Sequence, residues 1–213
     1  MKKNQRKRER ILIRRLVDGL AGWLTFKQAG AARTLYCEHF LYPPIYEIAS
    51  GRGWSVLAQE PITTSSARSG APSTLDFVFF EKSRNIQRGS RGLIMIEIKY
   101  IRGDNITLEL QGLYDDFTKL RTAVPNVLRS AKSLSSCGDP DKWQIVVAQR
   151  KAYNKISRSR SKKFPEIVKL LTDALSDKPS QLLYRSIIET KLKSDFHWHV
   201  IAIGENRWSN TLS

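Results

Sequence analysis

The sequence predicts an α/β domain, a sheet of largely buried strands flanked by helices. Two observations carry that expectation. Apolar runs rich in β-branched and aromatic residues recur at Leu75–Phe80, Gly92–Ile101, Trp143–Ala148 and His197–Ile203. Around them, apolar residues fall three and four apart, as at Leu41, Ile45 and Ile48, at Leu113, Phe117 and Leu120, and at Ile167, Leu170, Leu171 and Ala174. With 213 residues, 41% of them hydrophobic, the chain has enough apolar material for one ordinary core, which argues against a disordered basic polypeptide.

Element by element, the chain opens on a basic arm, Lys2, Lys3, Arg6, Lys7, Arg8 and Arg10, that runs into Ile11, Leu12, Leu16, Val17 and Leu20 at helical spacing. This reads either as a short helix with a basic face or as a solvated, frayed terminus. Residues 1–35 are taken as this arm and helix. Residues 36–213 are taken as a single domain, with a core at about 36–149 and an extension at 150–213. Between Tyr36 and Ser50 a helix is expected, firmest after Pro44 and ended by Gly51 and Gly53, with Glu38 on its apolar stripe. A strand follows from Trp54 to Glu60, closed by Pro61, and then a polar loop to Pro72. Strands at 75–80 and 92–101 are joined by a basic connection holding Arg84, Arg88 and Arg91. A helix through Leu113 and Leu120 and a strand at 143–148 come next. The basic run Arg150 to Lys163 lacks an evident apolar period and reads as a loop or flap. A helix through Ile167 and Leu171, a weaker helix near Leu182–Ile188 and a last strand complete the order.

Charge narrows the partners. There are 36 Lys and Arg against 20 Asp and Glu, a formal net charge of +16, and a field of that sign attracts polyanions. Nucleic acid is the polyanion expected, with an anionic membrane surface as the competing reading, and no membrane partner is assigned. No run approaches the roughly 18 apolar residues of a membrane span, and the charged N-terminus lacks a secretory apolar stretch, so a soluble cytoplasmic protein is expected. Two cysteines, Cys37 and Cys137, are too few for a disulfide framework and too isolated for a zinc site.

Chemistry is concentrated in the 92–101 strand. Glu97 and Lys99 are its only charged residues before Arg102, and period-two alternation turns both to one face. Burying a carboxylate and an ammonium in an apolar strand costs several kcal/mol unless they are paired or bound to a metal. Asp76 has a similar setting between Leu75 and Phe77. If the two strands pair antiparallel, Asp76 approaches Glu97, and two carboxylates at one point make an oxygen site suited to Mg²⁺. The plain alternative is a salt-bridge network among Asp76, Glu97 and Lys99.

The order helix, three strands, helix, strand, with Ser73-Thr-Leu-Asp76-Phe-Val-Phe on one strand and Ile94-Met-Ile-Glu97-Ile-Lys99 on the next, resembles the PD-(D/E)XK nuclease superfamily. The resemblance covers about residues 36–149. It implies a restriction-endonuclease-like αβββαβ core with a mixed central sheet, here with an extra N-terminal helix and a C-terminal helix and strand. It also implies Mg²⁺, with Mn²⁺ as a substitute, held by Asp76, Glu97 and the Ile98 carbonyl. Lys99 then orients and deprotonates the attacking water, and Glu38, or alternatively Glu47, is the helical glutamate. The activity implied is phosphodiester hydrolysis, in double-stranded DNA rather than RNA, with a homodimer as one arrangement for cutting both strands. On this reading Arg84, Arg88, Arg158, Arg160, Lys162 and Lys163 contact phosphates. The rival is a nucleic-acid-binding protein on the same fold without catalysis. Leu75 stands where the motif's proline would be. Asp116-Phe-Thr-Lys119 resembles a helix found behind the motif in small members, and equally an ordinary exposed ion pair, the reading preferred here. Two look-alikes act as internal controls: Glu189-Thr-Lys191 has no acidic partner strand, and Pro140-Asp141 reads as a turn.

Overall fold

The computed structural model describes residues 2–29, 37–63, 73–81, 92–126, 140–159, 163–175, 183–187 and 197–205. Helix α1, Lys2–Ala29, forms because Leu12, Ile13, Leu16, Val17, Leu20 and Leu24 make a continuous apolar stripe, all of it buried. It is thus far longer than the short helix expected, and it is packed rather than frayed. A 3₁₀ turn, Glu38–Leu41, leads into α2, Tyr42–Ser50, whose Pro43 and Pro44 fall in the first turn, where a missing N–H has no intrahelical partner to lose. Glu38 therefore lies in the turn before α2 and not on the helix stripe.

The strands are β1 (Trp54–Thr63), β2 (Thr74–Glu81), β3 (Leu93–Ile101), β4 (Val124–Pro125), β5 (Asp141–Gln149), β6 (Leu183–Ile187) and β7 (Trp198–Gly204). Helices α3 (Ile106–Thr122), α4 (Arg150–Ser157) and α5 (Pro165–Leu175) complete the described elements. The strands form one sheet in the order β4-β1-β2-β3-β5-β7-β6. Only β3 and β5 run parallel, so the sheet is mixed. β1 continues through Pro61, where the sequence suggested it would stop. The Ile62 N–H points to Ser73 on the β2 side, so by alternation the Pro61 nitrogen faces the edge that β4 covers only at Ile62 and Thr63.

Two cores flank the sheet. On one side Ile13, Leu16 and Leu20 of α1 and Ile45 of α2 meet Phe77, Ile96, Trp143 and Val200. On the other, Leu113 and Phe117 of α3, Tyr153 of α4 and Leu171 of α5 meet Val78, Met95, Val146 and Ile201. The architecture is α/β, a seven-strand mixed sheet among the described residues with helices on both faces. None of its helices is long and apolar enough to cross a membrane.

Three further local expectations fail. The basic run beginning at Arg150 starts as helix α4, because Ala152, Tyr153 and Ile156 supply a buried face within the charged sequence. The segment near Leu182–Ile188 contains strand β6 in place of a helix, since pairing with β7 overrides a weak local preference. Asp141 opens β5 rather than sitting in a turn. Glu189 and Lys191 lie outside the described residues.

Because Leu16 is fully buried against the sheet, Leu16→Ala should cost about 2–5 kcal/mol. Arg15→Ala, on the exposed face of the same helix, should stay within about 0.5 kcal/mol. Urea unfolding of the two variants measures the contrast.

Candidate functional site

The site begins where β2 and β3 stop pairing. Their antiparallel register runs from Phe80↔Leu93 to Phe77↔Ile96, so the next position sets Asp76 across from Glu97. There, carboxylates take the backbone donors. The Asp76 N–H donates to Glu97 Oε1 at 3.3 Å, and the Ile98 N–H donates to Asp76 Oδ2 at 2.8 Å. The other Asp76 oxygen, Oδ1, accepts from the Tyr42 hydroxyl at 2.5 Å and from Gln59 Nε2 at 3.2 Å.

Glu97 and Lys99 both face α3. Glu97 is 1% exposed, and its Oε2 meets the Lys119 ammonium at 2.6 Å. Lys119 also donates to the Thr74 carbonyl at 3.1 Å and lies 4.0 Å from Asp116. Lys99 is held between Glu38 and Asp116, each at 3.6 Å. The Glu38 carboxylate in turn accepts the Tyr100 N–H at 3.2 Å, which ties the 3₁₀ turn to β3. Asp76, Glu97, Lys99 and Glu38 are thus brought together. Glu47, the alternative to Glu38, is exposed on α2 and its carboxylate joins none of these pairs.

Asp116 and Lys119 are not on an exposed helix face, as the sequence was read, but half-buried between α3 and the sheet. With Gly112 they form a stripe at spacings of four and three beside Leu113, Phe117 and Leu120. A Cβ on Gly112 would stand 3.0 Å from both Cε and Nζ of Lys99, so the glycine leaves room for that side chain. Tyr42, Gln59 and Gln144 were not anticipated either. Gln144 is fully buried, stands in register with Glu97 on the neighbouring strand, and neither of its side-chain amide atoms has a hydrogen-bond partner. A Gln in an otherwise apolar strand was the available signal. Arg158 and Lys163 are exposed near the ends of α4 and α5. Arg84, Arg88, Arg160 and Lys162 lie outside the described residues.

Four carboxylates meet two ammonium groups here, a formal surplus of two negative charges. The titration shifts register the strain of that arrangement. Burial pushes Glu97 well above its usual range, the Asp76 charge adds to the push, and Lys119 offsets part of it. Burial likewise raises Asp116 to about 6, against the pull of Lys99 and then Lys119. For Lys99, burial acts to lower the pKa, but Asp116 and Glu38 outweigh it and the net shift is upward. Lys99 is therefore a firmly protonated donor, unable to take a proton from water while those partners stand. The Tyr42 phenol is raised by burial and by its bond to Asp76, so it too remains a donor.

The residues fit a hard divalent cation. The donors are all oxygen, and the cation's charge would cancel the surplus of two. Among the described residues no three or more His, Cys, Asp and Glu side chains are gathered to hold a metal. Mg²⁺ does not need such a cage, since it is commonly bound through one or two carboxylates and keeps several waters. The Lys119 ammonium supplies positive charge beside Glu97.

No family model matches the chain, and no curated protein or solved structure matches it.

Two outcomes follow from these charges. Between pH 3.8 and about 6 the folded chain keeps a proton on Asp116 that the unfolded chain has released. Stability should therefore fall as pH rises through that window, by up to about 3 kcal/mol at 1.36 kcal/mol per unit, and Asp116→Asn should flatten this part of a urea-midpoint profile. In the second, Gly112→Ala gains up to about 1 kcal/mol of helix propensity while displacing the flexible end of Lys99. The melting temperature should hold or rise, and NMR titration should find Asp116 shifted above about 6, because the cation that most lowers it has moved.

Proposed function

We propose that this chain is a metal-dependent nuclease that hydrolyses phosphodiester bonds, with DNA as substrate. The observation that carries the reading is the Asp76–Glu97 pair at the opening between β2 and β3, with Lys99 two residues beyond Glu97 on the same face, held between Glu38 and Asp116. Preference for DNA over RNA follows from the family resemblance alone.

On this reading Asp76, Glu97 and the Ile98 carbonyl hold Mg²⁺ or Mn²⁺. When bound, the cation supplies charge withdrawal from the scissile phosphate and a lower pKa for a coordinated water. Lys99, fixed between Glu38 and Asp116, orients that water and stabilises charge developing on the phosphate, and does not act as the base. Lys119 balances Glu97 and anchors the start of β2 through Thr74. Arg158 and Lys163, with Arg84, Arg88, Arg160 and Lys162, would neutralise backbone phosphates without reading sequence.

One observation favours a second reading, a nucleic-acid-binding protein of this fold without catalysis. Lys119 already satisfies Glu97 at 2.6 Å, and a structural ion pair of that kind needs no metal.

Incubation with plasmid and single-stranded DNA in Mg²⁺, Mn²⁺ or EDTA separates the two. Cleavage should require the cation and disappear in Asp76→Ala and Glu97→Ala. Lys99→Ala should lower turnover by about 10²-fold or more while leaving Mn²⁺ and DNA affinity nearly intact, because its donor acts mainly in the transition state. Binding without cation-dependent cleavage would favour the second reading, and full activity in both acid variants would remove the first.

A further inference from the structure

Gln59 has a backbone that strand geometry does not account for. It lies inside β1 with φ +53°, the only non-glycine residue among those described with a positive φ. A residue with a Cβ pays strain to stay there, and such outliers concentrate where a site needs them. The β1–β2 register is paired at Ala58↔Phe77 and Glu60↔Leu75, on either side of Gln59, which therefore stands across from Asp76. Its side chain is engaged at both ends. Nε2 donates to the Tyr42 hydroxyl and to Asp76 Oδ1, and Oε1 accepts from Thr74 Oγ1 at 3.1 Å. Because an ionised carboxylate only accepts, the amide nitrogen is the end that faces Asp76, and the Thr74 hydroxyl donates to the other end.

We propose that Gln59 is a positioning residue for the Asp76 carboxylate: its left-handed backbone and its amide, anchored at the far end by Thr74, together with Tyr42, fix the orientation in which Asp76 meets a divalent cation. The inference rests on the reading of Asp76 and Glu97 as cation ligands. Asp76 Oδ2 is restrained by the Ile98 N–H, and Oδ1 by the Tyr42 hydroxyl and the Gln59 amide. A ligating carboxylate held by outer hydrogen bonds is presented in one orientation, and loss of such a partner typically weakens metal affinity about 10- to 100-fold. Gln59 is exposed, so its amide contributes little to the apolar cores, and its strain serves the hydrogen bonds.

The test is Mn²⁺ affinity, measured by electron paramagnetic resonance on the full chain without DNA, beside thermal melting. The variants are Gln59→Gly, Gln59→Met and Asp76→Asn. Glycine relieves the positive φ and removes the amide, so its melting temperature should hold or rise while Mn²⁺ binds about tenfold more weakly. Methionine keeps the strain and the stem but not the amide, and should lose affinity to a similar degree. If wild type binds Mn²⁺, Asp76→Asn does not, and both Gln59 variants bind like wild type, the positioning role is wrong while the site reading stands. Weakening in the methionine variant alone would also overturn it, because the amide would then be dispensable. If Asp76→Asn binds Mn²⁺ as wild type does, the site reading fails and Gln59's role falls with it.

Discussion

The organisation of this chain depends on one unfavourable contact, two carboxylates facing each other where β2 and β3 part. Asp76 and Glu97 do not repel the strands into disorder because each takes a backbone N–H of the opposing region, Glu97 from Asp76 itself and Asp76 from Ile98. Charged acceptors make stronger hydrogen bonds than carbonyls, so the acids substitute for the ladder that has ended. The remaining charge on Glu97 falls to Lys119, and leaving it unpaired at 1% exposure would cost several kcal/mol. Helix α3 is thereby tied to the sheet by charge as well as by Leu113 and Phe117.

The surrounding elements each hold one part of that contact. β3 contributes Glu97 and Lys99 to the face that meets α3, while Ile94, Ile96 and Ile98 on its other face are buried against the α1 and α2 layer. The 3₁₀ turn before α2 delivers Glu38 to Lys99 and to the Tyr100 amide, and α2 begins with Tyr42, whose ring packs edge-on to Phe77 at 4.7 Å and whose hydroxyl reaches Asp76. A single aromatic side chain thus links the core beneath α1 and α2 to the acid. The two prolines that follow it set the start of α2, and so set where that hydroxyl stands.

Much of this was legible in the sequence because it rests on periodicity. Alternation in an apolar strand was sufficient to turn Glu97 and Lys99 to one face, and the order of elements was sufficient to expect Asp76 opposite. The rest depended on tertiary partners that periodicity does not encode. Asp-x-x-Lys on a helix describes a solvent ion pair and a buried one equally well, and only packing against β3 separates them for Asp116 and Lys119. Gln59 carries no local signal, since the partners of its side chain, Tyr42, Thr74 and Asp76, are distant in sequence. α4 was obscured because three buried residues were embedded in a run dominated by lysine and arginine, and β6 because its strand exists only in partnership with β7.

The charge balance of the whole chain gives the local acidity its meaning. A polypeptide with a formal charge of +16 attracts polyanions over distances of about a Debye length, roughly 8 to 10 Å at physiological salt. At Asp76, Glu97, Glu38 and Asp116 a phosphate would meet the opposite field, because two ammonium groups do not cancel four carboxylates. On the proposed reading, nucleic acid drawn in by the rest of the surface would be repelled at the one point where the proposed chemistry has to occur. Protonation of Glu97 and Asp116, both shifted upward by burial, would cancel the two surplus charges. A divalent cation removes the repulsion at neutral pH and adds an attraction to the phosphate, so on the proposed reading cation and substrate binding reinforce each other. On that reading the same arrangement would disfavour phosphate at the site until the cation is bound, and so would couple occupancy by the substrate to readiness for the reaction.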